Sequence, residues 1–477
     1  MKLYDHGCPQ VPRRATPYRR LLSPGRDALL SLSAVALIAS VCFNASLLTP
    51  DAVLRPTTLI AFPCATLILL FQQRQLLFFA AFAEAKAFAL LLLLLVIGHG
   101  LGHDSFSGTG DDAIFSASAL LGIGLVFYSG AVLGAVPKLR NTCAIALIGV
   151  AALNAIAVLV VPPSISTLRF ERSAGLFDDP NIVLMTVLPT LFLGIAALKS
   201  KVAPLFLLVT LGVVAGTAVL QTGSRAGAVS FTCGFLPALA VSIKCAKRAH
   251  FVYVLTLFIA AGAVITVIDI PWRNWLIKHT DMLLYRFEEG VSRGSLVADR
   301  SQAFDLLTEA GIEQIASPLG MGFHGGRETT KTLPHNSFAD SLIIGGPLAL
   351  VCMAVLYGQP LYLLFRRRII PSRLGHRMKM DGDVAACLVA SVVSQAVLIG
   401  ALSVLPWKVH WLVLGFVAGW LRVANCSDTA TTYLAERVRV PSSPDWTTVL
   451  SHYGGGAFRL KSRWRRRDSG EELKAIV

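Results

Sequence analysis

The chain has 477 residues, of which 54% are hydrophobic and only 15% charged, with a mean hydropathy of +0.64. Soluble domains carry about 25% charged residues, so this chain has too few to cover a water-facing surface of its size, and the same numbers exclude disorder, collagen and a disulfide-rich secreted scaffold. The net charge of +15, from 43 Lys+Arg against 28 Asp+Glu, would point to nucleic acid in a soluble protein; in a membrane protein it poses the question of where the charges lie.

A bilayer-crossing helix needs about 20 mostly apolar residues. Twelve segments meet that pattern: 28–48, 52–71, 76–98, 113–136, 142–161, 182–198, 202–220, 226–243, 251–270, 338–365, 384–405 and 409–421. The third carries Glu84 and Lys86, and the last is short. The first apolar run is too long for a signal-peptide core and lacks a clear small-x-small cleavage site, so it is expected to stay as an anchor. The sequence thus predicts an all-α polytopic membrane protein. An N-terminal tail (1–27) precedes nine spans (28–270), one large loop (271–337) and three more spans (338–421). A basic tail, 422–477, is expected to be loosely ordered.

Twelve spans place both termini on one side. Of the 43 Lys and Arg residues, 30 fall in the tails and loops of that side and 12 on the other, seven of these in the large loop. The positive-inside rule makes the rich side cytoplasmic, which predicts that both termini lie in the cytoplasm. The Arg463–Arg467 cluster would also meet anionic lipid there. None of the nine cysteines falls in an extracytoplasmic loop on this map, and no pair has C-x-x-C spacing. Neither a disulfide framework nor a zinc site is expected.

In a chain this apolar the informative residues are polar groups at membrane depth or in short loops. Three clusters precede even-numbered spans on the extracytoplasmic side. They are Gly175-Leu176-Phe177-Asp178-Asp179-Pro180-Asn181, Thr222-Gly223-Ser224-Arg225-Ala226-Gly227 and Pro334-His335-Asn336-Ser337. Helix N-termini carry free N–H donors and about half a positive charge, so three of them with an arginine and a histidine would bind an anion. Plain structural roles stand beside this reading. Asp179-Pro180 fits an N-cap with proline at the first helical position. Arg225 could snorkel to headgroups, and Asn336 or Ser337 could simply cap span ten. In the large loop Arg300, Phe304, Leu307 and Gly311 share one helical stripe, on which Arg300 could equally snorkel. His99 and His103 have i, i+4 spacing, but Gly100 and Gly102 argue against a helix and no third ligand is evident. Asp381-Gly382-Asp383 reads as a polar turn. There is no phosphate-binding Walker loop, dinucleotide glycine pattern or Gly-x-Ser-x-Gly nucleophile motif.

In this order the clusters resemble the O-antigen ligase and polymerase family of bacterial inner-membrane glycosyltransferases. That family has a Gly-x-x-x-Asp-Pro-Asn segment, a Ser-Arg turn and a periplasmic loop ending in His-Asn-Ser. Gly175 to Asn181, Ser224-Arg225 and His335-Asn336-Ser337 match these. Arg300 and Pro318-Leu319-Gly320-Met321-Gly322-Phe323 look like the loop's arginine and its Pro-Leu-x-Gly-x-Gly segment. Gly346 follows at the family's interval, while Ala349 stands where the next glycine is expected. The resemblance implies a GT-C-type membrane fold, an undecaprenyl-diphosphate-linked glycan donor and no metal requirement.

On that basis His335 is the expected general base and Arg225 and Arg300 the diphosphate ligands. Asp179, Asn181, Ser224 and Asn336 are positioning residues. The function expected is transfer of a polysaccharide to an acceptor such as lipid A–core. A polymerase would use the same logic and would be expected to carry a second sizeable periplasmic loop. A transporter or flippase would instead need a midplane polar site and two repeated halves.

Overall fold

The computed structural model describes residues 24–43, 56–101, 117–161, 165–166, 171–177, 179–198, 204–245, 252, 256, 272–292, 319–320, 322, 336–369, 382–402, 405 and 407–438. Among these, thirteen helices run in chain order. They are α1 (Pro24–Cys42), α2 (Pro56–Phe71), α3 (Gln73–Ala80), α4 (Ala83–Leu101), α5 (Ala117–Ala135), α6 (Pro137–Val160), α7 (Pro180–Ala197), α8 (Pro204–Thr222), α9 (Arg225–Cys245), α10 (Trp272–Ser292), α11 (Ser337–Ile369), α12 (Gly382–Ile399) and α13 (Lys408–Val438). An antiparallel two-residue ribbon, β1 (Ile165–Ser166) with β2 (Glu171–Arg172), interrupts the helical series between α6 and α7. One unit runs from Met1 to Thr429. The second, from Ala430 to Val477, is described only over the end of α13.

Seven described helices are long and apolar enough to cross a membrane, and an eighth span forms if α2 and α3 are taken together across their 86° bend. This is a polytopic helical membrane protein. The ninth expected span, 251–270, lies almost wholly outside the described residues.

Near the centre is α7. Residues 183–197 are all buried, as expected of a helix apolar on every side. It packs against α6, α12 and α8. Asn154 of α6 ties three helices together, its amide donating to Thr186 Oγ1 of α7 (3.2 Å) and to the Cys42 carbonyl of α1 (3.1 Å). Ser391 of α12 donates to the Pro189 carbonyl (2.8 Å). Without a hydrophobic drive between helices in lipid, close backbone approach and such bonds carry the packing. The same logic joins α5 to α13. Gly130 and Gly134 lie against the Leu412 and Phe416 carbonyls, and Gly415 and Gly419 against those of Phe127 and Ala131. A Cβ at any of these four positions would collide with backbone.

Three elements depart from expectation. The third predicted span, 76–98, is split at Ala81–Phe82 into α3 and α4. The break sets Glu84 in the first turn of α4, where its fully buried carboxylate takes three hydrogen bonds from the Arg422 guanidinium of α13, at 2.8 to 3.0 Å. Arg422 also lies over the Phe82 ring, 4.8 Å from its centroid. Secondly, residues 422–438 are helical, continuing the last span in α13. Arg422 must stay on a rigid element to meet Glu84, so the loosely ordered tail expected from 422 does not start there. Thirdly, the large loop contains α10, which the sequence reading did not find. The helix expected around Arg300 lies outside the described residues.

Within α11 the backbone breaks at Gly346 (φ 76°, ψ −178°). Leu319 and Gly320 pack against that break: a Cβ on Gly320, whose own φ is +75°, would meet the Ile344 carbonyl and approach the Gly346 nitrogen at 2.6 Å. Gly98 near the end of α4 abuts the same Ile344 and Leu319 carbonyls. Irregular backbone inside a membrane protein is tolerated where protein covers it, and here the Leu319-Gly320 segment and α4 do so.

Candidate functional site

The α8–α9 connection is two residues long. Thr222 ends α8, Gly223 turns with φ +56°, and Ser224 opens α9. The Ser224 hydroxyl accepts from the Gly227 amide (2.9 Å), which is N-capping. It also donates to Asn181 Oδ1 (2.6 Å). Asn181 sits in the first turn of α7. Its backbone amide donates to Oδ1 of Asp179, the N-cap of that helix (2.6 Å), with Pro180 at the first helical position. The N-termini of α7 and α9 are thus pinned together by Asn181 and Ser224, and Arg225 stands at the start of α9. Asp179 serves as the helix cap that its sequence allowed. Asp178 lies outside the described residues.

Arg225 has two arginine neighbours. From β2, Arg172 Nε donates to the Thr222 carbonyl (2.9 Å). From α10, Arg286 Nη1 donates to the Gly223 carbonyl, while Arg225 Nη1 donates to the Arg286 carbonyl (3.3 Å). Burial pushes the Arg172 guanidinium down to about 10, Arg286 and Arg225 push the same way, and Asp179 opposes them. Arg172 still carries its charge at neutral pH. Its Nη2 is buried and has no hydrogen-bond partner among the described residues.

Helix α10 covers the turn. Met282 packs on Gly223, where an added Cβ would approach its Cε at 2.6 Å. Trp275 Nε1 donates to Gln221 Oε1 (3.0 Å). His279 stacks on Trp275 with ring centroids 4.4 Å apart, and its Nδ1 donates to the Trp275 carbonyl (2.8 Å). Met282, His279 and Arg286 therefore form the inward face of α10. Arg172 and Arg286 were not singled out from sequence. The signal in the sequence was that each is a basic residue in a segment expected on the side poor in basic residues.

Asn336 caps α11, its Oδ1 accepting from the amides of Phe338 (3.0 Å) and Ala339 (3.2 Å). Ser337 donates to the Leu402 carbonyl just beyond α12 (2.7 Å). Helix α9 packs along α12, with Ser230 donating to the Ser394 carbonyl (2.9 Å). The segment just beyond α12 therefore adjoins the start of α11, and α12 itself packs along α9. His335 and Arg300 lie outside the described residues, as does His103. Among the described residues no three His, Cys, Asp or Glu side chains stand together as a metal site.

The architecture defines the class, a polytopic helical membrane protein with an arginine-bearing turn between two capped helix N-termini. No protein-family model matches the chain, and no curated protein matches it.

Proposed function

We propose that the chain is an O-antigen ligase-like glycosyltransferase of the bacterial inner membrane. It moves a polysaccharide from undecaprenyl diphosphate to an acceptor hydroxyl, such as that of lipid A–core, at the periplasmic face. The observation that carries this reading is the Ser224–Asn181 hydrogen bond. It unites two of the motifs on which the family resemblance rests and sets Arg225 where two helix N-termini meet, an environment that favours phosphate.

In this mechanism the acceptor oxygen attacks the anomeric carbon, and the bond from that carbon to the diphosphate oxygen breaks. His335 takes the hydroxyl proton, since an imidazole of ordinary pKa near 6.5 is matched to neutral pH. The undecaprenyl diphosphate leaves with the bonding electron pair, and Arg225 and Arg300 stabilise its growing charge through forked hydrogen bonds. One displacement inverts the anomeric centre. Asp179, Asn181, Ser224 and Asn336 hold the helix ends in place. The donor is already activated, so neither nucleotide nor metal is required.

The glycan profile of a strain lacking the gene tests the reading. Long chains left on the carrier are the expected result. Single repeat units in place of chains would make the protein a polymerase, and an unchanged profile would contradict both.

A further inference from the structure

We infer that α10 lies in the plane of the membrane surface, with one flank seated in the phospholipid of the bilayer and the adjoining flank in water. The inference goes beyond the glycosyltransferase reading and stands without it.

The depth of α10 follows from what it packs on. Helix α8 has 19 residues, a length of about 28 Å, which matches a hydrocarbon core of about 30 Å. Both α8 and α9 are long and apolar enough to cross the membrane, so the turn that joins them, Thr222 to Arg225, marks a boundary of that core. Its orientation follows from where its side chains land. Trp275 bonds to Gln221, Met282 packs on Gly223 and Arg286 donates to the Gly223 carbonyl. From Trp275 to Arg286 the axis of α10 advances about 16 Å, yet these partners are confined to residues 221–223. A helix running down the side of α8 would meet partners spread along that span. Helix α10 instead crosses over its end.

At about 100° per residue, residues 274–288 sort into three faces. Trp275, His279, Met282 and Arg286 face the turn, and His279 and Met282 are buried. Next to them Leu276, Ile277, Leu283, Leu284 and Phe287 share an arc of about 120° with Thr280. Arg273, a turn earlier, shares this arc by position. Leu276, Ile277 and Leu284 are about half exposed. The remaining arc holds Asn274, Lys278, Asp281 and Glu288, all exposed, with Tyr285 half-buried among them.

Water on every side would leave the leucine flank exposed, and lipid on every side would take Lys278, Asp281 and Glu288 into hydrocarbon. A helix at the boundary with its apolar flank toward the acyl chains meets both demands. Val213 of α8 and Leu236 of α9 are exposed too, so the spans beneath α10 offer lipid the same kind of surface. Phospholipid of the surrounding bilayer is therefore the partner of this flank.

Photocrosslinking of the full-length protein tests this, in vesicles of phosphatidylethanolamine and phosphatidylglycerol carrying a radiolabelled acyl chain. Benzophenone-bearing p-benzoylphenylalanine is placed singly for Leu284 or Ile277 on the apolar flank, for Lys278 or Asp281 on the charged flank, and for Val213 as the reference for lipid contact. All five native side chains are exposed, so none holds the core together, and two positions on each flank guard against a single poorly folded variant. Illumination is expected to attach labelled lipid at 277 and 284 near the level at 213, and several-fold less at 278 and 281. Equal lipid attachment at all four α10 positions overturns the divided helix. Lipid at 213 but none at 277 and 284 overturns the bilayer as partner. A crosslink within the chain would then put another segment of it on the flank, and a dimer-sized product a second copy. None of these results bears on the glycan donor or on His335.

Discussion

The Ser224 hydroxyl and the Asn181 side chain, 43 residues apart in sequence, meet in a 2.6 Å hydrogen bond that closes the N-termini of α7 and α9 onto each other. Ser224 also caps α9 through Gly227. Ser224→Ala removes both bonds. The loss of a helix cap costs about 1 kcal/mol, so the thermal unfolding temperature in detergent should fall modestly. Glycan transfer should fall much further, because Arg225 follows directly on the lost cap. A variant with lowered stability and full transfer would separate the cap from the chemistry.

Arg225→Lys keeps the positive charge but not the planar fork. It should abolish transfer while leaving the amount of inserted protein unchanged, as judged by membrane fractionation alongside the glycan profile. Full activity would remove Arg225 from diphosphate binding.

At the other end of α4, Glu84 is wholly buried and takes both oxygens' worth of hydrogen bonds from Arg422. Removing one partner of such a pair leaves a buried, uncompensated charge, at a cost of about 3–5 kcal/mol. Glu84→Gln should therefore lower thermal stability sharply. Glu84→Gln combined with Arg422→Met should recover much of it, because neither charge then remains. If the single variant melts with the wild type, the pair does not anchor α13.

His279 supplies a pH dependence. Burial lowers its pKa, the Trp275 carbonyl opposes this and Lys278 adds to it. Helix α10 is not among the apolar spans. In the unfolded chain the imidazole takes up its proton near pH 6.5; in the folded protein it does so only at lower pH. Unfolding thus binds a proton in that interval, and stability rises with pH across it. The contribution is intact above about pH 6.5 and declines as the pH falls below that value. Thermal unfolding at pH 7.5 and 5.5 should show a drop that His279→Phe reduces; the same drop in both proteins would assign it to other groups.

Much of the fold was legible because membrane spans announce themselves by length and hydropathy, and caps by local residue choice. Asp179-Pro180 and Asn336 cap α7 and α11 as their sequences allow. What could not be read depends on partners distant in the chain. The break at Ala81–Phe82 makes sense only once Glu84 is seen to need Arg422, 338 positions away. Helix α10 packs one face on protein and leaves both apolar residues (Leu276, Ile277, Leu284) and charged ones (Lys278, Asp281, Glu288) exposed, so no single periodicity marks it. Arg172 sits on a two-residue strand and Arg286 on that unmarked helix. Nothing local shows that both bond to the Thr222–Gly223 carbonyls. The packing of Leu319-Gly320 on the Gly346 break is equally non-local, though the glycines that permit it were visible.

The most direct test is transfer by the purified protein, with an undecaprenyl-diphosphate-linked glycan as donor, lipid A–core as acceptor, and His335→Ala compared with wild type. The account predicts that wild type forms the acceptor-linked glycan and releases undecaprenyl diphosphate without added metal or nucleotide. The inserted and folded His335→Ala protein should form none. Normal transfer by His335→Ala would contradict the assignment of His335 as base, and failure of wild type to transfer from the lipid-linked donor would contradict the function.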